Sequence, residues 1–261
     1  MNGSVRSTDG TAIAWEQTGD GPPLVLVHGT TADRTRWAGV VGPLAERFTV
    51  YAVDRRGRGL SGDGDAYAIE REFEDIAAVV DAIEGPVNLL GHSYGALCSL
   101  EAATRTSNIG KLVLYEPPIP VGVQIVPDEV LARIDALVEA DERDTALRTF
   151  FTEVVQMTVA ELEMVSSLPS WRARVAAAHT LARETRVERD WRPNHGHFEK
   201  ISVPTLLLEG SESPPFLHEA IRLLEKTIPG VRTVVFEGQA HVAMDSAPEL
   251  FVREVVSFLQ G

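Results

Sequence analysis

Val87-Asn88-Leu89-Leu90-Gly91-His92-Ser93-Tyr94-Gly95-Ala96-Leu97-Cys98 decides the fold. Its first four residues make a short, mostly apolar run of strand length. Its last part, continued by Leu100 and Ala103, has the character of a buried helix. Between them stands Gly-x-Ser-x-Gly. A serine in so tight a strand-to-helix turn is strained, and the residues two before and two after it must be small for strand and helix to pass. Such a turn pushes the Ser93 hydroxyl out above the sheet, and the following helix N-terminus favours negative charge beside it. Ser93 is the expected nucleophile.

Working outward, short apolar runs recur at Leu24–Val27, Thr49–Val53, Lys111–Tyr115, Thr205–Leu208 and Thr233–Phe236. Runs apolar at every position suit strands covered on both faces of a parallel sheet. Val5 onward and Thr11–Gln17 read as two further strands turned by Asp9-Gly10. Between the runs lie helical stripes. Ile69, Phe73, Ile76, Val80 and Ile83 mark one, stopped by Gly85-Pro86, and Leu250, Phe251, Val255, Phe258 and Leu259 mark another. Strand and helix alternate, which predicts an α/β fold with a mostly parallel, doubly covered sheet.

The rhythm breaks between Pro117 and Pro204. That interval holds helical stripes only: Val130, Leu131, Ile134, Leu137 and Val138, then Leu147, Phe150, Phe151, Val154 and Val155. Thr158 and Glu161 have capping-box spacing, and Pro169-Ser170 opens a helical segment expected to run to about Arg186. The domain reading is a core of residues 1–120 and 201–261 and a helical cap of residues 121–200. Phe150, Phe151, Met157, Met164 and Trp171 either line an apolar pocket there or pack the cap onto the core.

A serine nucleophile needs a base and oxyanion donors. Of the seven histidines, His241 differs from the rest. It follows the strand Thr233–Phe236 in Glu237-Gly238-Gln239-Ala240-His241, on the carboxyl-end side where open α/β sheets place their chemistry. The oxyanion donors expected are the N–H of Tyr94, next after the nucleophile, and the N–H of Thr30 in His28-Gly29-Thr30-Thr31. The His28 side chain is read as loop packing. Asp54-Arg55-Arg56-Gly57-Arg58-Gly59-Leu60-Ser61 is read as a loop fixed by internal ion pairs involving Asp54 and an arginine, in preference to a phosphate site.

Composition narrows the partners. The 261 residues are 44% hydrophobic and 24% charged, an ordinary globular balance. Asp+Glu is 38 against Lys+Arg 24, a net charge of −14. Binding through phosphates takes clustered Lys and Arg, so neither a nucleic acid nor an anionic membrane surface is expected. Cys98 is the only cysteine, so no intrachain disulfide and no cysteine-based metal cluster can form. The first ten residues carry no apolar run of a signal peptide, and no stretch approaches the about 18 apolar residues of a membrane span. A cytoplasmic enzyme with a small-molecule substrate and neither metal nor organic cofactor is the expectation.

Together the His-Gly loop, Asp-x-Arg-Gly-x-Gly-x-Ser, the serine turn, Gly-x-x-His and Pro248-Glu249-Leu250-Phe251 resemble the α/β-hydrolase superfamily, in that family's order. The resemblance implies an eight-stranded sheet with the helical cap inserted after the sixth strand. It also implies a serine hydrolase acting on an ester or lactone through a Ser-His-acid triad. Ser93 as nucleophile departs from epoxide hydrolases and haloalkane dehalogenases, which use Asp there. The family's acid usually follows the seventh strand, but Ser213 occupies the expected Asp position in Leu208-Glu209-Gly210-Ser211-Glu212-Ser213. Glu212, one residue earlier, is the expected acid. Glu116, after the sixth strand, is the alternative, since some relatives take their acid from that strand's end. The same residues would also suit a lyase, a cyclase, a carbon–carbon bond hydrolase or a cofactor-free haloperoxidase, and a ligand binder without turnover is the remaining reading.

Overall fold

The computed structural model describes residues 1–122 and 125–261. Residues 123 and 124, inside the interval expected to be helical, lie outside the described residues. Eight strands form one sheet: β1 Asn2–Arg6, β2 Ala12–Thr18, β3 Pro23–Val27, β4 Thr49–Asp54, β5 Val87–His92, β6 Ile109–Tyr115, β7 Thr205–Gly210 and β8 Arg232–Phe236. The spatial order is β1-β2-β4-β3-β5-β6-β7-β8. Only the β1–β2 and β2–β4 pairings are antiparallel, so the sheet is mostly parallel, as read.

In chain order the helices are α1 Val41–Ala45, α2 Ile69–Asp81, α3 Tyr94–Ala102, α4 Asp128–Glu139, α5 Arg143–Glu153, α6 Val159–Ser167, α7 Trp171–Ala177, α8 Leu181–Asp190, α9 Pro215–Thr227, α10 Ala243–Ser246 and α11 Pro248–Gln260. Strand side chains alternate between faces. In β3, Val25 and Val27 join the core under α2, α3 and α9, while Leu24 and Leu26 join the core under α1 and α11. Two cores sandwiching one sheet explain why β3, β5, β6 and β7 carry nearly unbroken apolar runs. β8 differs. It pairs with β7 alone, and as an edge strand it leaves Val235 43% exposed instead of covered on both faces.

Helices α4–α8 all fall between β6 and β7. They close around a third cluster that includes Val130, Ile134, Leu147, Phe150 and Phe151, and Val242 joins it from the loop after β8. Thr158 and Glu161 form the full capping box at the start of α6. The helical segment after Ser170 departs from the single helix expected. A 3-10 turn at Ala178–Thr180 divides α7 from α8, which runs on to Asp190. The cause is tertiary. Thr180 Oγ1 donates back to the Ala177 carbonyl and accepts from Arg58 at 3.0 Å, and the redirected α8 carries Glu184 onto Arg55 and Arg58. Among the described residues no helix is long and apolar enough to cross a membrane.

Candidate active site

The turn between β5 and α3 has the geometry its sequence demands. Ser93 sits at φ 56° and ψ −128°, outside the regions an L-residue prefers. A Cβ on Gly91 would lie 2.5 Å from Ala96 Cα, and one on Gly95 would strike the Val27 and His28 carbonyls. Small residues at both positions are therefore obligatory. The His28-Gly29-Thr30 loop lies against the serine: a Cβ on Gly29 would come within 2.9 Å of Ser93 Cβ. Thr30 and Tyr94 are both buried, and among the described residues neither backbone N–H has an acceptor. Buried N–H groups are normally paired, so these two free donors near Ser93 are available to an oxygen bound there.

His241 is 7% exposed. Its Nδ1–H donates to Glu116 Oε2 at 2.6 Å. Glu116 is fully buried, and its other oxygen accepts the Gly210 N–H at 2.6 Å. Here the structure corrects the sequence reading, which gave the contact to Glu212. Glu212 is exposed, and its carboxylate accepts from Ser211 Oγ at 3.2 Å. The reason lies in the backbone. Ser211 N–H and Glu212 N–H donate to the Phe236 and Gln239 carbonyls, which binds the loop after β7 to the loop after β8 and turns the Glu212 side chain outward. That loop gives the site a backbone donor, Gly210, and the end of β6 gives the carboxylate. Glu116 is itself held at φ 46°. With Thr31 and Ser93, three of the five non-glycine residues at positive φ among the described residues cluster here.

Two side chains that the sequence reading left without a role fix His241. His92 Nε2–H donates to the His241 carbonyl at 2.8 Å, and its ring lies 4.6 Å from the His241 ring. Burial, together with His241 and Arg36, holds His92 well below the usual histidine range, so it stays neutral. Tyr115 donates to the Ala240 carbonyl and accepts the Ala243 N–H at 3.1 Å. Both clamp the backbone on either side of His241. Aromatic and imidazole groups at the carboxyl ends of β5 and β6 were the available signal.

Ser93 and His241 share the walls of two cavities of about 20 Å³ each. That is space for one or two waters. No hydrogen bond joins the two side chains among the described residues; such contacts often tighten only when substrate is bound. Phe150, Phe151 and Met157 line these cavities, whereas Met164 lines a separate groove and Trp171 donates to Asp144 at 2.7 Å. Three further ionisable groups also line them: Arg36, Arg174 and Glu188. Sequence reasoning missed all three, because a charge on a helix or in a turn reads as solvated.

The other motifs are structural. His28 is buried, donates from Nδ1 to the Gly29 carbonyl at 2.9 Å and accepts Arg55 N–H at Nε2. Burial and Arg55 keep it neutral, well below the usual range. The Asp54 loop is fixed by ion pairs, but their partners lie outside it. Asp54 binds Arg34, Arg55 binds Glu72 and Glu184, and Arg56 binds Asp75 and Asp9. Each of its arginines is paired with a buried carboxylate, so their charges are balanced within the fold and not by a phosphate. Cys98 is buried and its thiol is pushed well up by burial, so it is inert packing.

The family model of the alpha/beta hydrolase family matches residues 24–254. A solved alpha/beta hydrolase from Sphaerobacter thermophilus is 38% identical and superposes at a TM-score of 0.85, covering 98% of this chain and 100% of that one. The chain is 26% identical to an (E)-2-((N-methylformamido)methylene)succinate hydrolase of Acinetobacter baylyi, over 97% of this chain and 96% of that protein. It is also 26% identical to a pimeloyl-[acyl-carrier protein] methyl ester esterase of Aeromonas hydrophila, over 95% and 99%. Matched over nearly its whole length, the chain belongs to the alpha/beta hydrolase family.

Proposed function

We propose that the protein is a serine hydrolase of small to medium esters or lactones, with Ser93 as nucleophile, His241 as base and Glu116 as acid. The observation that carries this reading is the 2.6 Å contact from His241 Nδ1 to the buried Glu116 carboxylate, beside a serine held at a strained turn. Glu116 fixes the tautomer in which Nε2 is free to take a proton. His241 Nε2 takes the Ser93 proton as Oγ bonds the acyl carbon. The carbonyl oxygen becomes an oxyanion against the Thr30 and Tyr94 N–H groups. The carbon–oxygen bond to the leaving group then breaks, and Nε2 hands its proton to the departing alkoxide. Water, deprotonated by Nε2, attacks the acyl-enzyme and releases the acid and Ser93. No metal or organic cofactor enters any step.

The relatives support an acyl substrate: one is a methyl ester esterase and another a succinate-derivative hydrolase. Helices α4–α8 act as the cap in this reading, because their Phe150 and Phe151 form part of the wall facing Ser93. The test is labelling with a fluorophosphonate followed by peptide mass spectrometry, with hydrolysis in heavy-oxygen water. One adduct on Ser93 and one heavy oxygen in the released acid are expected. An adduct elsewhere removes Ser93 as nucleophile. Labelled Ser93 with no oxygen incorporated leaves a non-hydrolytic enzyme on the same residues.

A further inference from the structure

Five arginines are buried among the described residues: Arg36, Arg55, Arg56, Arg58 and Arg174. Four of them touch carboxylates. Arg36 pairs with Asp245 at 2.6 Å, Arg55 with Glu72 at 2.7 Å, Arg56 with Asp75 at 2.7 Å, and Arg58 with Glu184. Arg174, on α7 and 5% exposed, touches none. Its Nη1 donates to the Thr30 carbonyl at a long 3.4 Å, its guanidinium stands 5.4 Å from the Phe151 ring centre, and its Nε has no partner. Asp245 and Asp33 act on it only from a distance, and Arg36 repels it. Burial and that repulsion lower its pKa to about 9, which still leaves it charged at neutral pH.

A buried guanidinium without a counter-ion destabilises a fold unless something else supplies the anion. Arg174 lines the same small cavity as Ser93, His241 and Thr30, where its neighbours are otherwise mostly apolar. Its planar donors match a carboxylate in bidentate fashion. Resting on the hydrolase reading above, we propose that Arg174 anchors a carboxylate carried by the substrate, so that the preferred substrates are esters or lactones bearing a free carboxylate near the scissile bond. On the far side of Ser93 the wall holds Glu188, whose burial beside Glu184 raises its pKa to about 8. At neutral pH it is mostly protonated, so it adds little negative charge to the wall around Ser93.

The test compares two esters of equal length. p-Nitrophenyl hemiglutarate carries the carboxylate and p-nitrophenyl valerate carries a methyl group in its place. The wild type is expected to favour the hemiglutarate in kcat/KM by tenfold or more. Arg174→Met should lower kcat/KM for the hemiglutarate by ~10²-fold, mainly through KM, and cut the preference for hemiglutarate over valerate by tenfold or more. Arg174→Lys should recover part of the loss. Equal losses on both esters, or a wild type that favours valerate, would overturn the proposal. Thermal unfolding adds a second readout. Replacing an unpaired cation with Met should leave Tm unchanged or raise it, whereas a brace for the fold would lower it. Calorimetry with glutarate itself needs no turnover: the wild type should bind it and Arg174→Met should not. Glutarate binding with neither ester cleaved would keep Arg174 as the anchor and reject the hydrolase reading, and absent glutarate binding rejects the anchor.

Discussion

Glu116 divides its two oxygens between the His241 imidazole and the Gly210 amide, each at 2.6 Å, so the end of β6 and the end of β7 meet on one carboxylate. A glutamine at 116 would keep the size but can donate its own N–H toward Nδ1, which favours the tautomer with Nε2 protonated and unable to accept the serine proton. Glu116→Gln should therefore lower kcat by ~10³–10⁴-fold with KM little changed. Glu212→Gln should stay within about twofold of wild type, because Glu212 is solvent-exposed. Steady-state kinetics on one ester decides between them, and the reverse ranking would return the acid to Glu212.

The contrast between these two glutamates shows what the sequence could carry. The strand runs, the serine turn and the His241 loop were legible because each rests on a local rule: alternation, small-residue clearance, or a loop at a strand's carboxyl end. Choosing between Glu212 and Glu116 depended on which loop backbone is tied down, and that is decided by hydrogen bonds between the loops after β7 and β8. The break between α7 and α8 was hidden for a similar reason. No Gly or Pro marks Ala178–Thr180, and the bend answers to Arg55 and Arg58, more than a hundred residues away. Arg174 and Glu188 look like ordinary helix-surface charges until packing buries both.

Ser93 and His241 act as one unit in the proposed reaction, so their losses should not add. Ser93→Ala and His241→Ala should each lower turnover by ~10³-fold or more, and the double variant should be little worse than either alone. Both single variants should fold, since among the described residues Ser93 makes no hydrogen bond through its side chain and His241 is anchored through its backbone carbonyl by His92. The check is kinetics alongside circular dichroism. Full additivity would show two independent contributions and contradict the covalent route.

Glu184 joins the helical insertion to the sheet. It is fully buried on α8 and accepts from both Arg55 and Arg58 on the loop after β4. Removing one partner of a buried ion pair leaves uncompensated charge, at a cost of about 3–5 kcal/mol. Glu184→Ala should lose stability of that order in a denaturant titration, although Arg55 keeps Glu72 at 2.7 Å. Arg186→Ala, whose pair with Asp135 is half-exposed, should cost under about 1 kcal/mol. Equal and small losses would mean the insertion is held by its apolar cluster alone.

Glu188 makes stability depend on pH in a direction unusual for a carboxylate. Its pKa is raised from 4.5 to about 8, first by burial and then by the neighbouring Glu184, while Arg55 partly opposes the shift. Between those two values the folded chain holds the proton and the unfolded chain has lost it. Unfolding then releases a proton, and stability falls as pH rises, by about 1.4 kcal/mol per pH unit from this group. Below pH 4.5 both states are protonated and the dependence vanishes; above about 8 both are ionised and the full penalty remains. Glu188→Gln keeps the shape and has nothing to titrate. Its stability advantage over wild type should widen by roughly 1.5–2 kcal/mol between pH 6.5 and pH 8, measured by urea unfolding at each pH. His28 and His92, which stay neutral in the fold, add the same dependence to both proteins, so it cancels in the difference between them. Parallel curves for wild type and Glu188→Gln across the window would show that Glu188 is already ionised in the folded protein, paired with Arg55 in place of holding a proton.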